Sequence, residues 1–253
     1  MKIAVCIKQV PTREWQPRLT DDARWVRDAD ISYEMNEPDA YALEEALRMK
    51  EKHGGEVVVI SAGPARVQQV IREALARGAD RAVHVQDDAL GTADAWAAAT
   101  AVAEAVRDEA FEVVLTGLQS DDQGHGQFGP VLAERLGMPH STIIMEVQIA
   151  EGVLRAKREL EGGWFQYVTM PLPALLTIQS GINQLRYATL KGIMAAKKKE
   201  VRVVTPAAPV ASRVRVVSLS LPQKSKQTVM IGGSAQEAAR ELVRRLREEA
   251  RAL

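Results

Sequence analysis

The sequence predicts an α/β fold built on a doubly wound parallel sheet. Three observations predict it. Short runs rich in Val and Ile alternate with helical runs through residue 136. The helical runs carry Pro near their starts or Gly at their ends. The order reads βαβαβαβα, the pattern of parallel strands joined by right-handed crossovers, with helices on both faces of the sheet.

Residues 3–10 (IAVCIKQV) read as the first strand. A helix follows over 37–52, with Leu43, Ala46, Leu47 and Met49 on or near one face. Asn36 suits its N-cap, Pro38 its first turn, and Asp39 lies three residues after the cap. Residues 56–61 (EVVVIS) form a buried strand, and 64–77 a helix that opens with Pro64 and closes at Gly78. A short strand at 81–85, an Ala-rich helix at 92–109 and a strand at 112–116 (EVVLT) come next. The helix at 126–136 closes at Gly137 and Pro139. Strands at 145–149, 154–160, 164–170 and 175–179 then follow the periodicity of an antiparallel add-on. The turn Glu161-Gly162-Gly163 reads as the tip of a hairpin.

The run KKKE at 197–200 marks a shift in composition. Residues 1–195 are expected to form the α/β domain, and 196–253 an arm with a terminal helix over 234–253. This arm is expected to pack on another chain. Composition fits equally well a linker followed by a helix docked on its own domain.

The bulk numbers exclude several classes. Lys plus Arg equals Asp plus Glu at 33 each, so net charge gives no support for a nucleic-acid or membrane-surface role. One cysteine, Cys6, excludes a disulfide framework or a cysteine metal site within the chain. No apolar run reaches the roughly 20 residues that span a bilayer, so direct membrane insertion is not expected. The chain opens on a strand, and a cytoplasmic location is expected, or the mitochondrial matrix in a eukaryote. His53, His84, His125 and His140 lack metal-ligand spacing, and no GxSxG elbow is present. Nothing points to acid–base or nucleophilic catalysis, so the chain is not read as an enzyme.

Open parallel sheets bind ligands beyond the carboxyl ends of their strands, and four segments arrive there. At Cys6-Ile7-Lys8-Gln9-Val10, Lys8 fits a phosphate, an acidic neighbour or a solvated strand end. Asn36-Glu37-Pro38-Asp39 fits a helix cap or hydrogen bonds to an adenine or ribose. Ser61-Ala62-Gly63-Pro64 fits a tight turn or the close approach of a flat ring to the backbone. The loop from Gly117 to Gln127 (GLQSDDQGHGQ) carries the clearest signal. Exposed amides before a helix start make an anion site, although the loop is neither GxxxxGK[ST] nor GxGxxG. Asp121 and Asp122 suit such a site only if they turn away from the anion.

These segments, together with the hairpin KRELEGG at 157–163 and the run RYATLKGIMAAKKK at 186–199, resemble the beta subunit of electron-transfer flavoprotein. The resemblance runs from Met1 to about Val204. It departs from the family in a shorter loop after Gly117 and in Glu37 where the family has Pro directly after the Asn. It implies a Rossmann-like sheet of the adenine nucleotide alpha-hydrolase type. It also implies a heterodimer whose alpha subunit supplies most of the site for a redox-active FAD, while this chain buries AMP. Electrons would come from acyl-CoA dehydrogenases or other flavin dehydrogenases and pass onward, often to a quinone reductase. Carried over by motif, Cys6, Asn36, Glu37, Pro38, Asp39, Ala62, Gly117, Gln119, Gln123, Gly124, His125, Gly126 and Gln127 line the nucleotide pocket. Leu190 is the apolar anchor for the dehydrogenase, flanked by Arg186 and Tyr187. From the residues alone, Leu190 fits a buried helix start equally well. The alternatives are a bifurcating form with a second FAD, or a nucleotide-sensing or nucleotide-dependent α/β domain with no redox partner.

Overall fold

The computed structural model describes residues 1–29, 31–222 and 228–252. Residues 223–227 of the arm and Leu253, the expected end of the terminal helix, lie outside the described residues. The strands are β1 (Lys2–Cys6), β2 (Gln9–Pro11), β3 (Tyr33–Met35), β4 (Glu56–Gly63), β5 (Arg81–Gln86), β6 (Val113–Gly117), β7 (His140–Ala150), β8 (Val153–Glu159), β9 (Phe165–Pro171), β10 (Ala174–Ile178) and β11 (Val201–Val204). The helices are α1 (Glu37–His53), α2 (Gln68–Arg77), α3 (Ala95–Ala105), α4 (Phe128–Leu136), α5 (Leu190–Ala196) and α6 (Ala235–Glu248).

The main sheet has nine strands in the order β11-β5-β4-β1-β6-β10-β7-β8-β9. All neighbours from β11 to β7 pair in parallel, and β7-β8-β9 form the antiparallel extension. Because the central strands are buried on both faces, they read as continuous apolar runs. Alternate residues serve different layers. Ile3, Val5, Val57, Val59, Val113 and Leu115 face α1 and α2. Ala4, Cys6, Val58, Ile60, Val83 and Val114 face α3 and α4.

Three expectations are corrected. The strand expected over 3–10 breaks after Cys6, and Gln9–Pro11 pairs instead with Tyr33–Met35 in a separate antiparallel ribbon. The Ile7 N–H still bonds the Ile60 carbonyl of β4, and the break arises because the next N–H, that of Lys8, is captured by the Asp39 carboxylate. The strand expected at 175–179 belongs to the parallel part, inserted between β6 and β7. Its five residues are all buried, which an alternating surface strand would not be. Third, Asn36 stands at the N-cap of α1 but its side chain makes no cap bond. The antiparallel extension starts within β7, where Ile143 turns at a φ of 62° and the register shifts. The sheet also continues past residue 195, since β11 pairs in parallel with β5 at its edge. None of the described residues of α6 is buried in this chain.

α4 lies so close to the sheet that only glycine fits at its second position. A Cβ on Gly129 would stand 2.4 Å from Thr177 Cγ2 and 2.9 Å from Thr116 Oγ1. Gly129→Ala is therefore expected to destabilise the chain by about 1–3 kcal/mol, as overpacking does. A lower urea midpoint with an unchanged slope would record it.

Candidate functional site

The chain winds from β1 outward to β4 and β5, then returns through α3 to place β6 on the other side of β1. Consequently, the strand order reverses between β1 and β6, and a crevice opens beyond their carboxyl ends. The strand ends carry small residues there: Cys6 on β1, Ala62 and Gly63 on β4, and Gly117 on β6. Gly117 is required by packing. A Cβ at that position would stand 2.4 Å from Asp39 Oδ1 and 2.7 Å from Pro38 Cβ.

Asp39, in the first turn of α1, reaches back under the crevice. Its Oδ2 accepts from the Lys8 N–H at 2.7 Å, and its Oδ1 from the Gly117 N–H at 2.9 Å. One buried carboxylate thus joins the ends of the two strands that diverge at the reversal point. Burial pushes its pKa up to about 7, although the two N–H donors and Asn36 act in the opposite direction. Burial also pushes the neighbouring Cys6 thiol well above its usual range, with the Asp39 charge adding to the effect. Cys6 is therefore a neutral wall of the crevice.

The loop after β6 is held by an exchange of hydrogen bonds with the start of α1. Asn36 Nδ2 donates to the Gln119 carbonyl at 3.0 Å, and Asn36 Oδ1 accepts from the Asp121 N–H at 2.9 Å. In return, Asp121 Oδ2 accepts from the Glu37 N–H at 3.3 Å, taking the capping position that Asn36 vacates. Asp122 pairs with Lys8 Nζ through both oxygens, at 2.7 and 2.8 Å. Of the readings open for Lys8, the structure selects the acidic neighbour. Both loop acids are satisfied away from α4.

Beyond them, Gly124 and Gly126 take positive φ values of 64° and 61° and bring the chain into α4. Gln127 makes no side-chain cap bond there, so the first-turn N–H groups of Phe128 and Gly129 form the positive end of the helix dipole. The cleft so formed has about 880 Å³ of empty space, counting its open mouth. Cys6, Asn36, Asp39, Ala62, Gly117, Gln119, Gln123, His125, Gly126 and Gln127 line it. Glu37, Pro38 and Gly124 do not. Glu37 turns outward to pair with Arg13.

A second wall was not anticipated from the sequence. Leu90, Gly91, Ala93, Asp94, Ala95 and Ala98 also line the cleft. Asp94 is the N-cap of α3, accepting from the Ala97 N–H at 2.8 Å. An Asp directly before an Ala-rich run is a legible cap signal. The expected helix start at 92 obscured it.

The segment 186–194 stands apart from this cleft. Tyr187 is 88% exposed and Leu190 83%, so Leu190 is an exposed helix start rather than a buried one. Arg186 is engaged with α1, bonding Glu44 at 2.8 Å and Glu51 at 2.6 Å. Thr189 caps α5 by accepting from the Gly192 N–H at 3.1 Å. A Cβ on Gly192 would stand 2.2 Å from the Ala76 carbonyl oxygen, which fixes α5 against α2. The exposed Leu190 therefore rests on a rigid base.

Asp39 also makes stability pH-dependent. Its folded pKa is raised above the unfolded value, so its stabilising contribution is complete below about pH 4 and declines as pH rises toward about 7. Asp39→Asn should remove that slope between pH 4 and 7. It should also lower stability throughout by about 1–3 kcal/mol, because one of two buried N–H donors loses its acceptor. Denaturant midpoints across that pH range test both effects.

The family model of the electron transfer flavoprotein domain matches residues 25–209. The electron transfer flavoprotein subunit beta of Methylophilus methylotrophus is 38% identical over 253 residues, covering 95% of this chain and 96% of the relative. That of Syntrophomonas wolfei is 38% identical over 243 residues, covering 96% and 94%. That of Bacillus subtilis is 31% identical over 261 residues and covers both chains fully. The similarity thus includes the cleft, the hairpin and the exposed α5 segment together, and the chain belongs to the electron transfer flavoprotein beta-subunit family.

Proposed function

We propose that this chain is the noncatalytic half of a heterodimeric electron carrier and that its cleft buries AMP. The observation that carries the nucleotide reading is the pairing of free first-turn amides on α4 with loop acids turned elsewhere. Anionic phosphate suits the helix start, and the small residues Cys6, Ala62, Gly91 and Ala98 leave room for a flat base. The alpha subunit would hold most of the FAD, whose isoalloxazine supplies the redox chemistry when bound. This chain contributes position, burial and a docking surface. Electrons would arrive from acyl-CoA dehydrogenases or other flavin dehydrogenases and leave to an acceptor such as a quinone reductase. The arm beyond β11 and the exposed α6 would pack on the alpha subunit.

A second reading has one observation in its favour. A shallow hollow, about 530 Å³ counting its open mouth, adjoins the cleft and shares Lys8, Ala62, Leu90 and Gly91 with it. A longer dinucleotide, as in a bifurcating carrier with a second FAD, would extend there. Acid release and chromatography of nucleotides from the natively purified complex separate the two. One FAD and one AMP per heterodimer are expected. Two FAD and no AMP would establish the second reading, and the absence of nucleotide would defeat both.

Emptying the AMP site should lower the melting temperature, since a ligand at a hundredfold excess over its Kd stabilises the native state by about 2.7 kcal/mol. Flavin reduction by dithionite should persist. Unchanged melting after verified nucleotide removal would refute a structural role.

Leu190, exposed on a fixed base and beside Tyr187, is proposed as the dehydrogenase anchor. Leu190→Ala should slow electron arrival at subsaturating dehydrogenase while heterodimer assembly and FAD content stay at parental levels. Equal rates for mutant and parent would refute the anchor.

A further inference from the structure

Beyond β11 the chain stays against the domain before it reaches α6. Val204 and Val210 pack on the core layer shared by α3 and α4. Residues 212–214 then meet the amino end of α3. Asp94 Oδ2 accepts from the N–H of Arg213 at 2.6 Å and of Val214 at 2.8 Å. Ser212 Oγ accepts from the Asp94 N–H at 3.1 Å. The Arg213 guanidinium lies 3.5 Å from the centre of the Trp96 ring. Farther along, the Leu219 N–H donates to the Ala23 carbonyl at 2.7 Å. Ala23 belongs to the loop that carries Trp25 and Val26, which line the hollow beside the cleft. The segment therefore runs along the carboxyl ends of the strands, from the β11 edge to the loop after β2.

Asp94 occupies two structures at once. It lines the cleft, and its Oδ1 caps α3. Its Oδ2 and its N–H hold the arm. Charge-assisted bonds from a carboxylate to backbone N–H groups are among the stronger hydrogen bonds. The orientation of the cleft wall at Ala93-Asp94-Ala95 is thus set jointly by the helix and by residues 212–214.

The geometry points to a strap: residues 210–219 hold the α3 wall of the nucleotide cleft through Asp94, so nucleotide release is coupled to release of the strap. The inference rests on the nucleotide reading of the cleft. Coupling is reciprocal, so bound nucleotide must also protect the strap.

The test uses the full-length chain freed of nucleotide, with AMP as the probe. Parent is compared with the double variant R213A/V214P. Neither residue lines the cleft, yet the proline removes an N–H donor to Asp94 and the alanine removes the contact with Trp96. AMP is expected to bind the variant about tenfold more weakly, through faster release, within the usual range of coupling between sites. AMP should also slow tryptic cleavage after Arg215 in the parent and not in the variant. W96L, which removes only the ring platform, should show both effects more weakly and covers the case in which the double variant folds poorly. Equal AMP release from parent and variants, with equal protection from trypsin, would overturn the strap and leave the nucleotide site standing. A parent that binds no AMP would overturn the nucleotide reading itself, and the strap with it.

Discussion

β1 and β6 run parallel as neighbours, yet the chain must leave them in different directions at their carboxyl ends, where backbone N–H groups lose their sheet partners. Asp39 accepts from one such N–H on each side, at Lys8 and Gly117. The cleft depends on this bridge. Without an acceptor beneath it, a ligand site between two diverging strands would expose unpaired backbone polar groups, each costly to bury. The bridge also explains the residues around it. Gly117 has no side chain because the carboxylate occupies that space. β1 ends there because the Lys8 N–H is bonded to Asp39, outside the ladder.

The same economy governs charge. A loop with two acids next to an anion site is unfavourable unless the acids are neutralised locally. Asp121 sits at the positive end of α1, and Asp122 on the Lys8 ammonium. α4 is left with its own positive end uncapped by any side chain. The two helix starts therefore differ: one holds a protein carboxylate and the other has no side-chain cap, which in the proposed reading suits an anionic ligand. Cys6 is kept neutral by burial and adds no charge to the wall.

In the proposed reading, the cleft holds a nucleotide and the α5 segment meets a dehydrogenase, and the α5 segment is both exposed and fixed. Arg186 ties the segment to Glu44 and Glu51 of α1, and the Ala76 backbone leaves no room for a side chain at Gly192. Leu190 then projects from a fixed base, which reduces the ordering entropy that a small contact must offset. At the other edge, β11 and residues 210–219 keep the arm on the domain until it has passed the cleft. Beyond it, Leu242 and Val243 of α6 are exposed.

Local pattern settled the types of the central elements, while the β2–β3 ribbon, α5 and β11 were not read from it. Continuous Val and Ile runs, Pro and Gly punctuation, and an Ala-rich helix located β4, β5, β6 and the helices between them, and small residues at strand ends marked the cleft. Motif order identified the family. What local pattern did not contain was partner choice over long sequence separations. Nothing near Asn36 distinguishes a cap from a clasp on a loop 83 residues away. A buried run such as β10 reads alike whether its neighbours are parallel or antiparallel, because burial on both faces erases the alternation. Asp94 falls inside the helix expected over 92–109, yet it caps α3 and its other carboxylate oxygen is filled by the backbone 119 and 120 residues further on. Each of these was decided by tertiary structure, because a hydrogen-bonding side chain takes whichever partner the folded chain brings within about 3 Å.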